Sequence, residues 1–297
     1  MAAVAKAVSE NETLRKVFIP TYRLLARTVM FYPGPRVLAT SVPKAGTHLV
    51  ASLLKNFPRM MFSGRHSSLA EWALPGARSD VAGNVPELDW DRLEHALKTV
   101  NRGHFMTAHF PAVPELRDML QRLEYKTVFM IRDPRDVVIS NAFYITRLKR
   151  HFLNERFNQD MSTLDERIMA CITGLPATET GPGLISIGQR ITNYVGWKDD
   201  PDTHLCRFED LVGANGGGSD ETQRREIESI ANHINRTLSP GDVQRIARKT
   251  WSQDSSTFRK GVIGDWKNHF NDAHREAFKR VAGQEIVDLG FEQNLDW

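Results

Sequence analysis

Three segments and one histidine hold residues able to bind or transfer an anionic group. The first segment is Val42-Pro43-Lys44-Ala45-Gly46-Thr47-His48. Lys44 offers a point charge, Gly46 lets the backbone approach a ligand closely, and Thr47 adds a hydroxyl. An ordinary turn would use similar residues, and no G-x-x-x-x-G-K-[ST] run occurs anywhere in the chain. The second segment runs from Arg132 through Asp133, Pro134 and Asp136 to Ser140. Arg132 can grip a phosphate with two parallel hydrogen bonds. Asp133 as N-cap, Pro134 in the first turn and Asp136 near the helix dipole describe a capped helix start, which accounts for every residue except Arg132. The third segment is Phe258-Arg259-Lys260-Gly261, followed by Gly264-Asp265-Trp266. Two adjacent cations entering a glycine-containing loop form an anion clamp. His109, in Met106-Thr107-Ala108-His109-Phe110-Pro111, has the residue type best suited to proton transfer near neutral pH. A histidine satisfied at a strand end is the plain alternative.

These residues need elements to hold them. Arg36–Val42, Phe105–His109, Thr127–Ile131 and His204–Phe208 are apolar enough to be buried strands. Gly46–Phe57, Glu115–Leu123, Asp136–His151, Ser186–Trp197, Glu221–Ile234 and Pro240–Lys249 carry helical patterns. The alternation predicts an α/β domain with a parallel sheet covered on both faces. Both anion-seeking segments at Lys44 and Arg132 then fall where a strand runs into a helix, beside free N–H groups and the positive end of the helix. Residues 63–90 and 174–185 are rich in Gly and Pro and are expected to be loops or lids. His104 and His109 lie five apart in a strand, hence on opposite faces. Leu184-Ile185-Ser186-Ile187-Gly188 lacks the first glycine of a G-x-S-x-G nucleophile elbow, which argues against a hydrolase. Near the start, Leu14, Phe18, Tyr22, Leu25 and Val29 recur at helical spacing among basic residues. That stripe predicts a helix that packs on the domain or meets an amphiphilic partner.

Composition narrows the classes. The chain has 297 residues, 39 Lys and Arg against 36 Asp and Glu, and a formal net charge of +3, too mild for a general nucleic-acid binder. Its two cysteines, Cys171 and Cys206, form neither a disulfide framework nor a zinc pattern. No run of about 18 apolar residues spans a membrane, and no signal peptide is visible. The expectation is a cytoplasmic protein with an N-terminal extension over residues 1–30 and one domain over 31–297.

Pro-Lys-Ala-Gly-Thr, Arg-Asp-Pro-Arg-Asp-Val-Val-Ile-Ser and Arg-Lys-Gly-x-x-Gly-Asp-Trp-Lys-Asn-x-Phe occur in that order between Lys44 and Phe270. Together they closely resemble the motifs of cytosolic-type sulfotransferases. The resemblance covers about Arg36 to Phe270. It implies the P-loop nucleotide-kinase-like sulfotransferase fold and 3′-phosphoadenosine 5′-phosphosulfate (PAPS) as co-substrate, with no metal. It implies that Lys44, Ala45, Gly46, Thr47 and His48 hold the 5′-phosphosulfate, with Lys44 neutralising the leaving oxygen. It implies that Arg132, Ser140, Arg259, Lys260 and Gly261, introduced by Phe258, hold the 3′-phosphate. His109 matches the family's general base, and Phe208 and Trp251 stand as aromatic contacts for adenine.

The chain departs from the family at three positions. Leu49 stands where a stacking tryptophan often follows the phosphosulfate loop. Thr107 stands where many members have a lysine two residues before the base. Phe208-Glu209-Asp210 replaces Tyr-Glu-Asp. The dimerisation motif of animal cytosolic members is not visible in residues 271–297. The expected reaction is transfer of a sulfuryl group to an acceptor hydroxyl. Alternatives are transfer to an amine, a nucleotide-dependent kinase on a related scaffold, and a non-catalytic anion-binding protein. Phe62, Trp72, Phe143, Tyr144 and Phe152 are candidates to line an apolar acceptor cleft or to belong to the core.

Overall fold

The computed structural model describes residues 11–28, 32–77, 81–179, 181–251 and 259–297. Its strands are β1 (Arg36–Ser41), β2 (Met61–Ser68), β3 (Val81–Ala82), β4 (His104–His109), β5 (Tyr125–Ile131), β6 (Gly183–Leu184) and β7 (Thr203–Arg207). Five of them form a single sheet in the order β2-β4-β1-β5-β7, and every neighbouring pair is parallel. The short β3 and β6 form a separate parallel pair. Central strands of a parallel sheet are covered on both faces, so their sequences are largely apolar. Accordingly Val37, Leu38, Ala39, Phe105, Met106 and Val128 are fully buried.

The helices are α1 (Glu12–Thr28), α2 (Thr47–Lys55), α3 (Trp90–Lys98), α4 (Pro114–Arg122), α5 (Pro134–Arg147), α6 (Asn154–Gln159), α7 (Leu164–Thr173), α8 (Ile187–Val195), α9 (Phe208–Leu211), α10 (Asp220–His233), α11 (Pro240–Thr250) and α12 (Asp272–Asp288). None of the described helices is long and apolar enough to cross a membrane. The α5 start forms as its residues dictate: the Asp133 side chain accepts from the Arg135 amide and Pro134 occupies the first turn.

Topology does the positioning. Strand β1 lies between β4 and β5, with Thr40 opposite Ala108 and Ser41 opposite Met130. The chain therefore leaves the C-terminal ends of three adjacent strands at Lys44, His109 and Arg132. This is the switch point at which open α/β sheets bind ligands.

The four predicted strands and six predicted helices form, with ends shifted by a few residues. The helix expected to reach His151 stops at Arg147, and Phe208 opens α9 rather than ending β7. The larger correction concerns residues 63–90. Most of 61–68 is an edge strand, β2, and Trp90 begins α3. Strand β2 reads Met-Phe-Ser-Gly-Arg-His-Ser-Ser, with a register shift between Phe62 and His66. A polar, bulged edge strand lacks the alternation that marks a strand in sequence. At the N-terminus the helix is present, but Leu14, Phe18 and Leu25 face solvent and only Tyr22 of the named stripe docks on the domain. Val29 lies outside the described residues.

Gly188, the residue of the incomplete elbow, has a packing role. Helix α8 crosses α12 there, and a Cβ on Gly188 would meet the Val281 carbonyl oxygen at 2.0 Å. The same point of α12 is kinked, with Ala282 outside helical geometry. Gly188→Ala should lower the unfolding free energy by about 1–3 kcal/mol through overpacking, as measured by denaturant unfolding.

Candidate active site

The loop after β1 turns tightly, with the Ala45 amide donating to the Val42 carbonyl at 2.9 Å. Lys44 sits at φ 76° and Gly46 at φ 121°, both in the left-handed half of backbone space. Glycine is required at position 46, because a Cβ would stand 3.0 Å from the Phe208 ring. Thr47 opens α2, and its Oγ1 shares a 2.5 Å hydrogen bond with Ser41 Oγ. Ala45 is buried, His48 is exposed on the first turn, and Leu49 packs against the core.

Arg132 follows β5 directly and is buried. Its guanidinium donates to the Val262 carbonyl at 2.7 Å and to Asp136 at 3.2 Å, and lies 4.3 Å from the centre of the Phe208 ring. Asp136 does more than favour the helix dipole. It is fully buried and accepts from the backbone amides of Gly264 at 2.8 Å and Trp266 at 2.9 Å. The second segment thus staples the third in place. Within the third, Asp265 is nearly inaccessible and takes Arg259 at 2.5 Å and Lys260 at 2.8 Å. Burial acts to raise the Asp265 carboxyl, but the hydrogen bonds from Lys260 and Arg259 outweigh it and hold it well below the carboxylate range. Trp251 ties the same loop from outside by donating to the Gly261 carbonyl at 3.3 Å.

The cations of the three segments feel one another. Burial, reinforced by Arg132 and Arg259, lowers Lys44 to about 8. Buried Nε atoms of Arg132 and Arg259 have no hydrogen-bond partner in the structure. Unpaired buried donors on two guanidiniums, next to a loop that glycine leaves open, suit a polyanionic ligand. Ser140, half-buried, lies two turns into α5, and its hydroxyl joins none of the bonds above among the described residues. Phe258 lies outside the described residues. Among these, no group of three His, Cys, Asp or Glu is placed to hold a metal ion.

His109 stands at the end of β4, beside that loop. Its Nδ1 is 3.1 Å from the Ser41 carbonyl oxygen. A carbonyl only accepts, so Nδ1 carries the hydrogen and Nε2 keeps the lone pair. Burial, then His66 and Lys44, lower the ring to about 3, although the Ser41 bond pulls the other way. The imidazole is therefore neutral near pH 7. The flanking Phe110 is pinned by two buried groups: its amide donates to Thr40 Oγ1 and its carbonyl accepts from Trp197 Nε1.

His66, on β2, is a residue that the sequence reading passed over. Its ring meets His109 edge-on, with centroids 5.2 Å apart, and its Nδ1 lies 2.9 Å from Thr107 Oγ1. Thr107 thus orients a second imidazole. The proposed cleft residues divide. Trp72 is core, and Phe62 packs on Phe105 at 5.2 Å. Tyr144 lies under Lys44 at 3.5 Å and Phe143 under Arg259 at 4.8 Å, whereas Phe152 is exposed and stacked on His151.

Removing the staple should loosen the whole arrangement. Asp136→Ala strands Arg132 and two amides without their acceptor. It should cost about 3–5 kcal/mol of stability, read by thermal or denaturant unfolding.

Comparison with known proteins places the chain in a family and a fold. The family described as "Sulfotransferase domain" matches residues 34–290. Human sulfotransferase 2A1 is 22% identical over 94% of this chain and 90% of its own length. The amine sulfotransferase of Oryctolagus cuniculus is 21% identical, covering 85% of this chain and 81% of its own. A mouse sulfotransferase complexed with PAP shares the fold with a TM-score of 0.59 at 16% identity, over 91% of this chain and 92% of that one. Retinol dehydratase, in complex with androsterone and PAP, superposes with a TM-score of 0.52 at 16% identity, over 90% and 85%. The chain belongs to the sulfotransferase domain family, the PAPS-dependent enzymes that its three motifs resemble.

Proposed function

We propose that this protein transfers a sulfuryl group from PAPS to the hydroxyl of a small organic acceptor, with His109 as general base. One observation carries the proposal. Cations from three distant segments, Lys44, Arg132 and Arg259, converge beside a neutral imidazole whose tautomer is fixed with Nε2 as acceptor. PAPS supplies an activated sulfuryl group on a phosphate leaving group. Arg132, Arg259 and Lys260 serve as the 3′-phosphate grip, with Ser140 and Gly261 alongside. The amides and hydroxyl of the 44–48 loop hold the other end, and Phe208 and Trp251 border the base. Lys44 faces the oxygen on which charge develops, where a preorganised cation in a dry site has its greatest effect. His109 Nε2 takes the acceptor's proton as the nucleophile attacks in line. The protein's contribution is position and electrostatics, as in phosphoryl transfer.

The charge environment gives the base a dependence on the donor. Without a polyanion, burial above all, with His66 and Lys44 adding to it, lowers His109 to about 3, a weak base. Negative charge placed beside Lys44 favours the imidazolium and raises that value. Donor binding thus strengthens the base that the transfer needs.

PAP should raise the melting temperature without magnesium, by about 2.7 kcal/mol equivalent at 100 times its dissociation constant. Arg132→Ala and Lys260→Ala should lose that shift. An equal shift with ADP and magnesium would turn the assignment toward a kinase. His109→Ala should lower turnover by about 10²–10⁴-fold with PAP affinity unchanged, scored against a hydroxysteroid, a phenol and a primary amine. PAP affinity should weaken as pH rises through about 8, where Lys44 loses its proton. Lys44→Arg should move that limb to higher pH, as followed by titration calorimetry across pH.

A further inference from the structure

Helix α1 has one face docked and one face bare. The Tyr22 hydroxyl donates to the Phe62 carbonyl at 2.8 Å and Arg23 Nε donates to the Gly64 carbonyl at 3.1 Å. Gly64, at φ 76°, admits the helix: a Cβ there would meet the Tyr22 ring at 2.8 Å. These contacts fix the helix on edge strand β2. The opposite face carries Leu14, Val17, Phe18, Leu24 and Leu25, each between 46% and 65% exposed. Their spacing of three, four and seven places them on one stripe.

The sequence of that helix is basic. Four cations, Arg15, Lys16, Arg23 and Arg27, stand against one acid, Glu12, within α1, a formal +3. The helix therefore has as much net positive charge as the whole chain. At the margin of the apolar face a cleft of about 240 Å³ opens, lined by Arg23, Leu24, Ser63, Arg65, Thr99 and Val100. Leu24 belongs to both features. Arg65 is desolvated and repelled by Arg23, with Glu71 supplying only part of the opposing charge.

We propose that α1 and this cleft dock the protein onto the surface of an anionic phospholipid membrane. The apolar stripe enters the interfacial layer, and Arg23 and Arg65 receive a headgroup phosphate at its edge. A second copy of the chain is a poor occupant. A 17-residue helix is about 25 Å long and presents only about 250 Å² on one face, far below the roughly 800 Å² per partner of a stable dimer. Self-docking would also set +3 against +3. An anionic bilayer meets both the apolar stripe and its charge.

The test is co-sedimentation of the full chain, free of nucleotide, with phosphatidylcholine vesicles, alone or with about 30 mol % phosphatidylserine. The wild type should pellet with the anionic vesicles and be released by high salt. Phe18→Asp combined with Leu25→Asp should abolish pelleting, and Arg65→Gln should weaken it about five-fold. All of these positions are outside the catalytic arrangement, and an unchanged melting temperature confirms that each variant is folded. Failure of the wild type to pellet, or equal pelleting by the double variant, overturns the proposal. A wild-type dimer in light scattering that the double variant dissociates assigns the face to a second copy instead. Vesicle binding and the PAP shift are separate readouts, so loss of either leaves the other standing.

Discussion

The Asp136 carboxylate is the hinge of the site. It is buried at the start of α5, one helical turn after Arg132, and it accepts two amides from a loop about 130 residues further along the chain. A buried carboxylate must be matched by donors, and here those donors are the functional segments themselves. Through it the end of β5 and the Gly264–Trp266 turn are fixed relative to each other. Asp265, held in that turn, then aims Arg259 and Lys260. Two acids, neither of which contacts substrate in the proposed reaction, set the geometry of three cations, Arg132, Arg259 and Lys260.

The same acids leave the site only partly neutralised. Lys44, Arg132, Arg259 and Lys260 outnumber Asp136 and Asp265, and loss of solvent lowers His48, His66 and His109, reinforced by Lys44 at His48 and His109, so these imidazoles stay neutral near pH 7. The excess positive potential selects a multiply charged ligand over a singly charged one. Lys44 links ligand affinity and base strength, since its charge attracts the ligand and adds to the effect of burial on His109.

Legibility in the sequence followed the range of the physics. Short apolar runs mark most of the strands, and caps such as Asp133-Pro134 are local, so β1, β4, β5, β7 and the starts of α2 and α5 could be placed from residues alone. Two of the three motifs, at Lys44 and Arg132, sat at those junctions, and Asp136 and Arg132 bring the third beside them. What failed was long-range. β2 is polar and bulged, so the strand and its His66 were hidden in a stretch that resembles a loop. Asp136 looked like an ordinary first-turn acid because its partners are far away in sequence. The α1 stripe had the right period, but periodicity alone does not say which face finds the domain.

Lys44 illustrates how a folded chain can be locally at odds with itself. A residue with a Cβ at φ 76° pays about 1–2 kcal/mol of backbone strain that glycine would avoid. Burial beside two arginines adds a further penalty to its charge. By thermodynamic criteria alone, glycine is the better residue at this position. Any procedure that optimises this protein for heat resistance, whether by consensus or by calculated stability, will be drawn to replace it. Such a search would select against the charge that the proposed transfer uses, and position 44 should be held fixed in it.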